Sequence, residues 1–291
     1  MTAGAHHPYF GRRVVLASMH GKEAAIAAPF MTALGLELIT APGIDTDLLG
    51  TFSGEIERIG SMLDVAERKA RVGMAAAGCD LGLASEGSFG PHPQMPFLPA
   101  GRELLTFVDE GRALCISEAL ITETNYACAS ARETSELQEF LIRIGFPSHA
   151  VVVSPQRASR TLLAGAPLFK GVKDLGALTR AVAVCAKAAD DGTAFVETDM
   201  RAHMNPTRMQ SLRPLADRLA QRLAHLCPDC HAPGYGRVDV VQGLPCSDCG
   251  APTAWTHLDV YGCMGCGMRE HRPRADGLLT IEPVNCPACN P

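Results

Sequence analysis

The sequence predicts an α/β fold, in which a mixed sheet covered by helices forms the core and a small C-terminal double zinc ribbon follows. Short β-branched and apolar runs alternate with Ala-rich or amphipathic segments over residues 1–205, as is typical of helices packed on a sheet. Residues 206–226 have the apolar stripe of a connecting helix, and residues 227–291 contain four Cys-x-x-Cys pairs. We therefore expect three regions: the core, the connecting helix and a zinc tail.

The core begins with alternating strands and helices. In chain order the segments are a strand at 13–18, a helix at 22–34, a strand at 36–39, a helix at 64–77 and a strand at 81–84. Pro29 is expected to kink the first helix, because proline removes an internal hydrogen bond. Gly78 is placed to end the second helix.

The later core and the connecting helix continue this alternation. The segments are strands at 104–108 and 113–121, a helix at 132–144, a strand at 150–153, a helix at 175–189 and a strand at 194–196. The connecting helix has good starting residues, since Asn205 can cap it and Pro206 lies where a missing N–H costs nothing. Pro214 is expected to bend this helix or to divide it.

The cysteine pairs predict two structural zinc sites. Eight thiolates in four two-residue clips suffice for two tetrahedral sites of four cysteines each: Cys227/Cys230, Cys246/Cys249, Cys263/Cys266 and Cys286/Cys289. The gaps between the clips are 15, 13 and 19 residues, and the first and third gaps suit short hairpins. We therefore expect the first clip to share a zinc with the second, and the third with the fourth. The crossed pairing, first with third and second with fourth, is the alternative.

Charge and hydropathy limit the classes of partner and the location. The chain has a net charge of −5, and the tail contains four Arg, no Lys and seven acidic residues. Two zinc ions with eight thiolates would add about −4, so this charge disfavours nucleic-acid binding, and a protein partner for the acidic tail is the alternative. No apolar run reaches the roughly 20 residues that cross a bilayer, and no signal-like stretch opens the sequence. We expect a cytoplasmic protein with reduced cysteines.

Two segments of the core have residues suited to phosphate chemistry. Lys22 follows Gly21 in a turn between a strand and a helix, where backbone N–H groups and the helix N-terminus favour an anion; the alternative is an ordinary loop with a solvated lysine. Glu86 follows a buried strand, where a carboxylate can hold Mg²⁺ or orient a water molecule; the alternative is a glutamate in a Gly-rich turn.

These motifs also resemble a known family. Residues 16–22, Leu-Ala-Ser-Met-His-Gly-Lys, are similar to the Leu-Ala-Ser-x-Ser-Pro-Arg opening of Maf-type nucleotide pyrophosphatases. Residues 66–70, Ala-Glu-Arg-Lys-Ala, resemble a later helix of that family. The same family, with its inosine-triphosphate pyrophosphatase relatives, places an acidic residue after the next strand, and Glu86 stands at that place here. The resemblance implies phosphate-binding roles for Lys22 and Lys69, and catalytic or metal-binding roles for Glu86 and Asp47. It also implies a nucleotide substrate and a Mg²⁺ cofactor.

A second candidate pocket follows the last strand of the core. Asp199, Arg201 and Arg208 place charges of both signs between a strand and a capped helix, which suits an anion or nucleotide site. The alternative is an internal ion-pair network. The whole chain is also similar to an uncharacterised bacterial family of unknown function with like zinc clips. The resulting hypothesis is a Mg²⁺-dependent nucleotide-binding protein, with nucleoside triphosphate pyrophosphatase activity as its catalytic form; a non-catalytic scaffold is the alternative.

Overall fold

The protein divides into two compact units. The computed structural model describes residues 6–45, 59–155 and 165–291. The first unit is Met1–Ala220 and the second is Gln221–Pro291. The boundary between them lies within one helix, Pro206–Ala224, so this helix contributes residues to both units.

A five-stranded mixed sheet forms one half of the first unit. Its elements are β1 (Arg13–Ala17), α1 (Glu23–Leu34), β2 (Glu37–Thr40), α2 (Met62–Ala77), β3 (Leu81–Pro91), β4 (Pro99–Asp109) and β5 (Leu114–Glu123). The strand order is β2-β1-β3-β4-β5. Strand β1 is parallel to both β2 and β3, whereas β3, β4 and β5 are antiparallel. The predicted mixed sheet with helices is confirmed.

The chain path places α1 and α2 on opposite faces of this sheet. Across the sheet, the connection from β1 to β2 through α1 runs in one direction, and the connection from β2 to β3 through α2 runs in the opposite direction. Because such connections are right-handed, the two helices lie on opposite faces of the sheet. On the α2 side, Ala66 and Ala70 pack with Ala84 of β3. Helix α1 continues through Pro29, which lies inside it.

The other half of the first unit is a second sheet, which the sequence did not separate from the first. Its elements are β6 (Cys128–Ala131), α3 (Gln138–Ile144), β7 (Val151–Ser154), β8 (Phe169–Val172), α4 (Leu175–Ala188) and β9 (Ala194–Thr198). The strand order is β6-β9-β7-β8, with antiparallel pairing throughout. Side chains from α3 and α4 share one apolar core with β7 and β9. Helix α5 (Pro206–Ala224) follows and is continuous through Pro214.

The second unit is built on a three-stranded meander. Its strands are β10 (Gly236–Gln242), β11 (Thr256–Gly262) and β12 (Arg269–Pro273), and each neighbouring pair is antiparallel. A cysteine clip precedes β10, a second lies between β10 and β11, a third lies between β11 and β12, and the fourth follows β12. The clips therefore alternate between the two ends of the sheet.

Candidate functional site

The mixed sheet has a step at the carboxyl end of β1. Strand β1 ends at Ala17, which pairs with Ala84, whereas β3 continues to Pro91. The chain also reverses its direction of travel across the sheet between β1 and β3. In open α/β sheets, ligands bind outside the carboxyl ends of strands at such a reversal.

Lys22 approaches this step on the α1 side of the sheet. It lies just before the first residue of α1, and its ammonium donates a hydrogen bond to Ser85 Oγ at 2.9 Å. Lys22 is only 6% exposed. Within the described residues its ammonium has a neutral hydroxyl as partner rather than a carboxylate.

Lys69 and Glu86 meet on the other side of the sheet. Successive residues of a strand point to opposite faces, so Glu86 faces α2 while Ser85 faces α1. The Lys69 Nζ atom lies 2.5 Å from Glu86 Oε1, and both side chains are buried. The structure therefore brings Lys22, Lys69 and Glu86 to one place in the sheet, although from two faces.

An ion pair between Arg208 and Glu103 completes the group. Arg208 Nε donates to Glu103 Oε1 at 2.6 Å, and Nη2 donates to Glu103 Oε2 at 3.2 Å. The guanidinium also lies 5.0 Å from the ring centroid of Phe89. Sequence reasoning missed Glu103, which is 1% exposed. The sequence did contain one signal, since Glu103 directly precedes the apolar residues Leu104 and Leu105 of a predicted strand. A charged residue in a buried strand needs a partner of opposite charge, so this position indicates a buried ion pair.

Together these residues form a buried charge cluster, defined as Lys22, Lys69, Arg208, Glu86 and Glu103. It contains three cations and two carboxylates, so it has a net charge of +1 when all five groups are ionised. Burial, and then the nearby Arg208 guanidinium, lower the pKa of Lys22 to about 7, while Glu103 and Glu86 partly oppose this change. An added anion would therefore be attracted to the Lys22 side of the cluster.

The three residues of the second predicted pocket, Asp199, Arg201 and Arg208, take part in two different ion pairs. Asp199 is fully buried and pairs with Arg201, whose Nη2 lies 2.6 Å from Asp199 Oδ2. The backbone N–H of Gly171 also donates to this carboxylate, at 3.0 Å. Arg208 is turned toward Glu103 instead, because that carboxylate is the buried group it can neutralise. Asp199 and Arg201 thus pair with each other, while Arg208 pairs with Glu103 of the mixed sheet. Asp47 lies outside the described residues.

The eight clip cysteines form two groups with the geometry of zinc sites. The groups are Cys227, Cys230, Cys263 and Cys266, and Cys246, Cys249, Cys286 and Cys289. Within them, the Cys227–Cys266 and Cys230–Cys263 Sγ atoms are 3.8 and 3.6 Å apart, and the Cys246–Cys289 and Cys249–Cys286 Sγ atoms are 3.9 and 3.7 Å apart. Zn–S bonds of about 2.3 Å at tetrahedral angles require a separation of about 3.8 Å. The residues therefore fit two zinc ions.

The pairing of the clips corrects the sequence expectation. The first clip joins the third and the second joins the fourth, so the expected sequential pairing is wrong. Each gap holds one strand of a meander rather than a closed hairpin. A single strand carries the chain to the opposite end of the sheet, and clips one strand apart cannot share a metal. The two zinc sites therefore lie at opposite ends of β10–β12.

Each clip is a tight turn that is built in the same way. The residue after the second cysteine returns its N–H to the carbonyl of the first, as His231 does to Cys227, Gly250 to Cys246 and Gly267 to Cys263, at 3.0 Å in each case. These three residues have positive φ angles. The backbone N–H groups of Cys249 and Asp248 lower the pKa of Cys246 to about 7, whereas a hydrogen bond with the Cys249 thiol raises the pKa of Cys289 in the same site. In each site the first cysteine of a clip is buried and the second is exposed.

In the part of the chain that the structure describes, no cluster of carboxylates offers magnesium a site comparable to the cysteine groups. Among residues 6–45, 59–155 and 165–291, the two four-cysteine groups are the clusters of three or more His, Cys, Asp or Glu ligands close enough to hold an ion. No described helix is long and apolar enough to cross a membrane.

Comparison with known proteins places the chain in a family and adds no activity. The sequence model of a family described as a domain of unknown function, DUF6671, matches residues 69–291. The matched region contains Lys69, Glu86 and all eight clip cysteines, whereas Lys22 precedes it. No curated protein matches the chain. The expected likeness to a family of unknown function is confirmed, and neither finding shows a relationship to Maf-type proteins.

Proposed function

We propose that this chain, which belongs to the DUF6671 family, binds a phosphorylated small molecule at the carboxyl end of β1. Lys22 would contact the phosphate from the α1 side of the sheet and Lys69 from the α2 side. The two four-cysteine sites would hold structural zinc, because four protein thiolates leave no open coordination position. A nucleotide is the ligand class that we expect, and the zinc sites keep the second unit folded.

One observation carries the proposal. Lys22 is a nearly enclosed cation whose hydrogen-bond partner in the described structure is the neutral hydroxyl of Ser85. An unneutralised ammonium is costly to bury, and its lowered pKa reflects that cost. A bound phosphate would supply the missing negative charge and would restore the ordinary pKa. Its location at the reversal between β1 and β3 adds support, since ligands of α/β sheets collect there.

Binding of inorganic tripolyphosphate and of nucleoside triphosphates tests this proposal. Titration calorimetry of the zinc-loaded protein at pH 7 should show saturable binding, with and without Mg²⁺. In Lys22→Met, which keeps most of the side-chain volume, affinity should fall by about 10- to 100-fold, as expected for a charge-assisted hydrogen bond worth about 1.5–3 kcal/mol. Lys187→Met removes an exposed lysine near the end of α4 and is the matched control. No binding in this panel, or equal binding by both variants, would contradict the proposal.

Hydrolysis of a phosphoanhydride is the catalytic form of this function. Glu86 would orient or deprotonate a water molecule, once a ligand phosphate had drawn Lys69 from their 2.5 Å ion pair. Release of pyrophosphate from a nucleoside triphosphate should then be lost in Glu86→Gln while binding persists. If the protein binds nucleotides and releases no pyrophosphate with any of them, its function is binding alone.

A second proposed role belongs to the acidic C-terminal unit. Its four arginines from Cys227 onward are all engaged with its own acids, in the pairs Arg237–Asp259, Arg269–Asp239, Arg272–Glu270 and Arg274–Asp276. Asp229, Asp248 and Glu282 remain in addition to the negative charge of the thiolate-bound zinc ions. Asp229 belongs to the clip at one end of the sheet, whereas Asp248 and Glu282 accompany the clips at the other end. The excess negative charge is therefore spread over both ends of the sheet, and it would suit a protein partner with a basic face.

Charge-neutral variants of these three acids test the second role. A full-length protein with Asp229→Asn, Asp248→Asn and Glu282→Gln should lose proteins that the unaltered chain retains from a cell extract. The retained set should be sensitive to salt, because such contacts are screened. If the variant and the unaltered chain retain the same proteins, the acidic surface does not recruit them.

A further inference from the structure

A groove lies between the first turn of α1 and the start of α5. Its volume is about 530 Å³, within the range of small-molecule sites in proteins. The floor is apolar and is formed by Ala25, Ala202 and Met209, while His203, Gln210 and Arg213 supply polar groups. Ala25 and Ala202 also pack with Leu212, so the floor belongs to a buried apolar cluster.

An imidazole ring that lines the groove is stacked on a second imidazole. The rings of His203 and His20 are stacked, with centroids 4.8 Å apart and planes 20° from parallel. Partial burial, followed by the neighbouring His20, lowers the pKa of His203, which favours its neutral form. A neutral ring fixed by one neighbour offers its other face or its edge to a further planar group. Gln210 has both an amide donor and an acceptor, which can contact the edge of a heterocycle.

Two members of the charge cluster come from the segments that form the groove: Lys22 directly precedes α1, and Arg208 belongs to α5. On α1, Ala25 follows Lys22 by three residues, about one helical turn or 5 Å along the axis. On α5, Met209 and Gln210 directly follow Arg208, whose side chain joins the cluster. His20 belongs to the loop that delivers Lys22. The groove lining and Lys22 are therefore about one helical turn apart along the chain at the start of α1.

We infer that the groove binds a planar aromatic heterocycle, and that the ligand of this protein is a phosphorylated aromatic heterocycle whose phosphate contacts Lys22. The inference rests on the proposed function for the position of the phosphate. The groove adds a binding place for the ring of the nucleotide that the proposed function expects. It also predicts that the ring contributes affinity beyond that of the phosphates.

A comparison of three probes tests the inference. Titration calorimetry on the full zinc-loaded protein would use ATP, inorganic tripolyphosphate and adenosine. ATP should bind at least 10-fold more tightly than tripolyphosphate, and adenosine should bind more weakly than ATP. Ala24→Trp, at an exposed position lining the groove, should remove the advantage of ATP and leave tripolyphosphate binding unchanged. Ala28→Trp, one turn later at an exposed position of the same helix, is the matched control.

The outcomes separate this inference from the proposed function. If tripolyphosphate binds in a Lys22-dependent way and neither ATP nor GTP, CTP or UTP binds more tightly, the groove inference is overturned and the phosphate site stands. If adenosine binds and is blocked by Ala24→Trp while tripolyphosphate does not bind, the groove stands and the phosphate site fails. Gln210→Ala, at an exposed position, gives a second test that does not depend on the folding of the tryptophan variants. It should weaken ATP by several-fold and leave tripolyphosphate unchanged.

Discussion

The crossed pairing of the cysteine clips makes a prediction that metal analysis can decide. Replacing Cys227 and Cys263 by serine removes two ligands from one site and leaves the other complete. Replacing Cys227 and Cys246 removes one ligand from each site. After dialysis against a mild chelator, we expect one zinc ion per chain in the first double variant and none in the second. All three cysteines are buried, so the two variants are matched in environment.

The length of β11 excludes the sequential pairing of the clips. Strand β11 has seven residues, so its ends lie about 20 Å apart at about 3.4 Å per residue. A tetrahedral zinc site requires its sulfurs to lie about 3.8 Å from one another, and sequential pairing would need a different sheet. Zinc content measured by mass spectrometry gives the result directly. The reasoning is refuted if Cys227→Ser/Cys246→Ser keeps one zinc ion and Cys227→Ser/Cys263→Ser keeps none. Cys79→Ser/Cys128→Ser, which removes two cysteines outside the clips, should keep both.

Three further predictions concern stability. The pKa of Lys22 is about 7 in the folded chain and 10.5 in the unfolded chain, so the free-energy cost of burying its charge is largest below pH 7 and fades as pH rises toward 10.5. Lys22→Met should therefore be more stable than the unaltered chain at pH 6, by about 5 kcal/mol at most. In urea unfolding curves, this difference in stability should shrink toward pH 10. Glu103→Gln leaves the Arg208 guanidinium buried without its carboxylate and should lower the free energy of unfolding by about 3–5 kcal/mol in the same urea unfolding curves. A decrease of less than about 1 kcal/mol would show that the ion pair is dispensable for stability. Gly267→Ala places a side chain on a residue with a positive φ angle and should destabilise the second unit by about 1 kcal/mol. The chelator concentration at which half of the protein is unfolded should therefore be lower in this variant, and an unchanged concentration would contradict the prediction.

Several structural elements could be predicted from residues that are close together in the sequence. The alternation that predicted strands at 13–18 and 81–84 corresponds to β1 and β3, and the stop at Gly78 corresponds to the left-handed residue that ends α2. The eight zinc ligands were also evident, because Cys-x-x-Cys is a complete local turn. Pro29 and Pro214 both lie inside helices that continue past them, so neither proline divides its helix.

Features that depend on distant residues were not predictable in the same way. The pairing of clips follows from how many strands lie between them, which gap length alone does not reveal. Arg208 was grouped with its sequence neighbours Asp199 and Arg201, whereas its partner Glu103 lies 105 residues away. Separation of the strands into two sheets is likewise a matter of long-range pairing. Lys22, Lys69 and Glu86 were identified separately from their motifs, and their meeting from two faces of one sheet required the register of β1 on β3.

The alternating exposure of the clip cysteines has a consequence for oxidation. Cys230, Cys249, Cys266 and Cys289 are exposed, and the first cysteine of every clip is buried. An oxidant would therefore meet each zinc site through its two outer sulfurs, where conversion of thiolate to sulfenic acid weakens metal binding. Because the two sites lie at opposite ends of the sheet, damage to one does not expose the inner sulfurs of the other. Loss of zinc under oxidative stress should thus proceed in two separate steps.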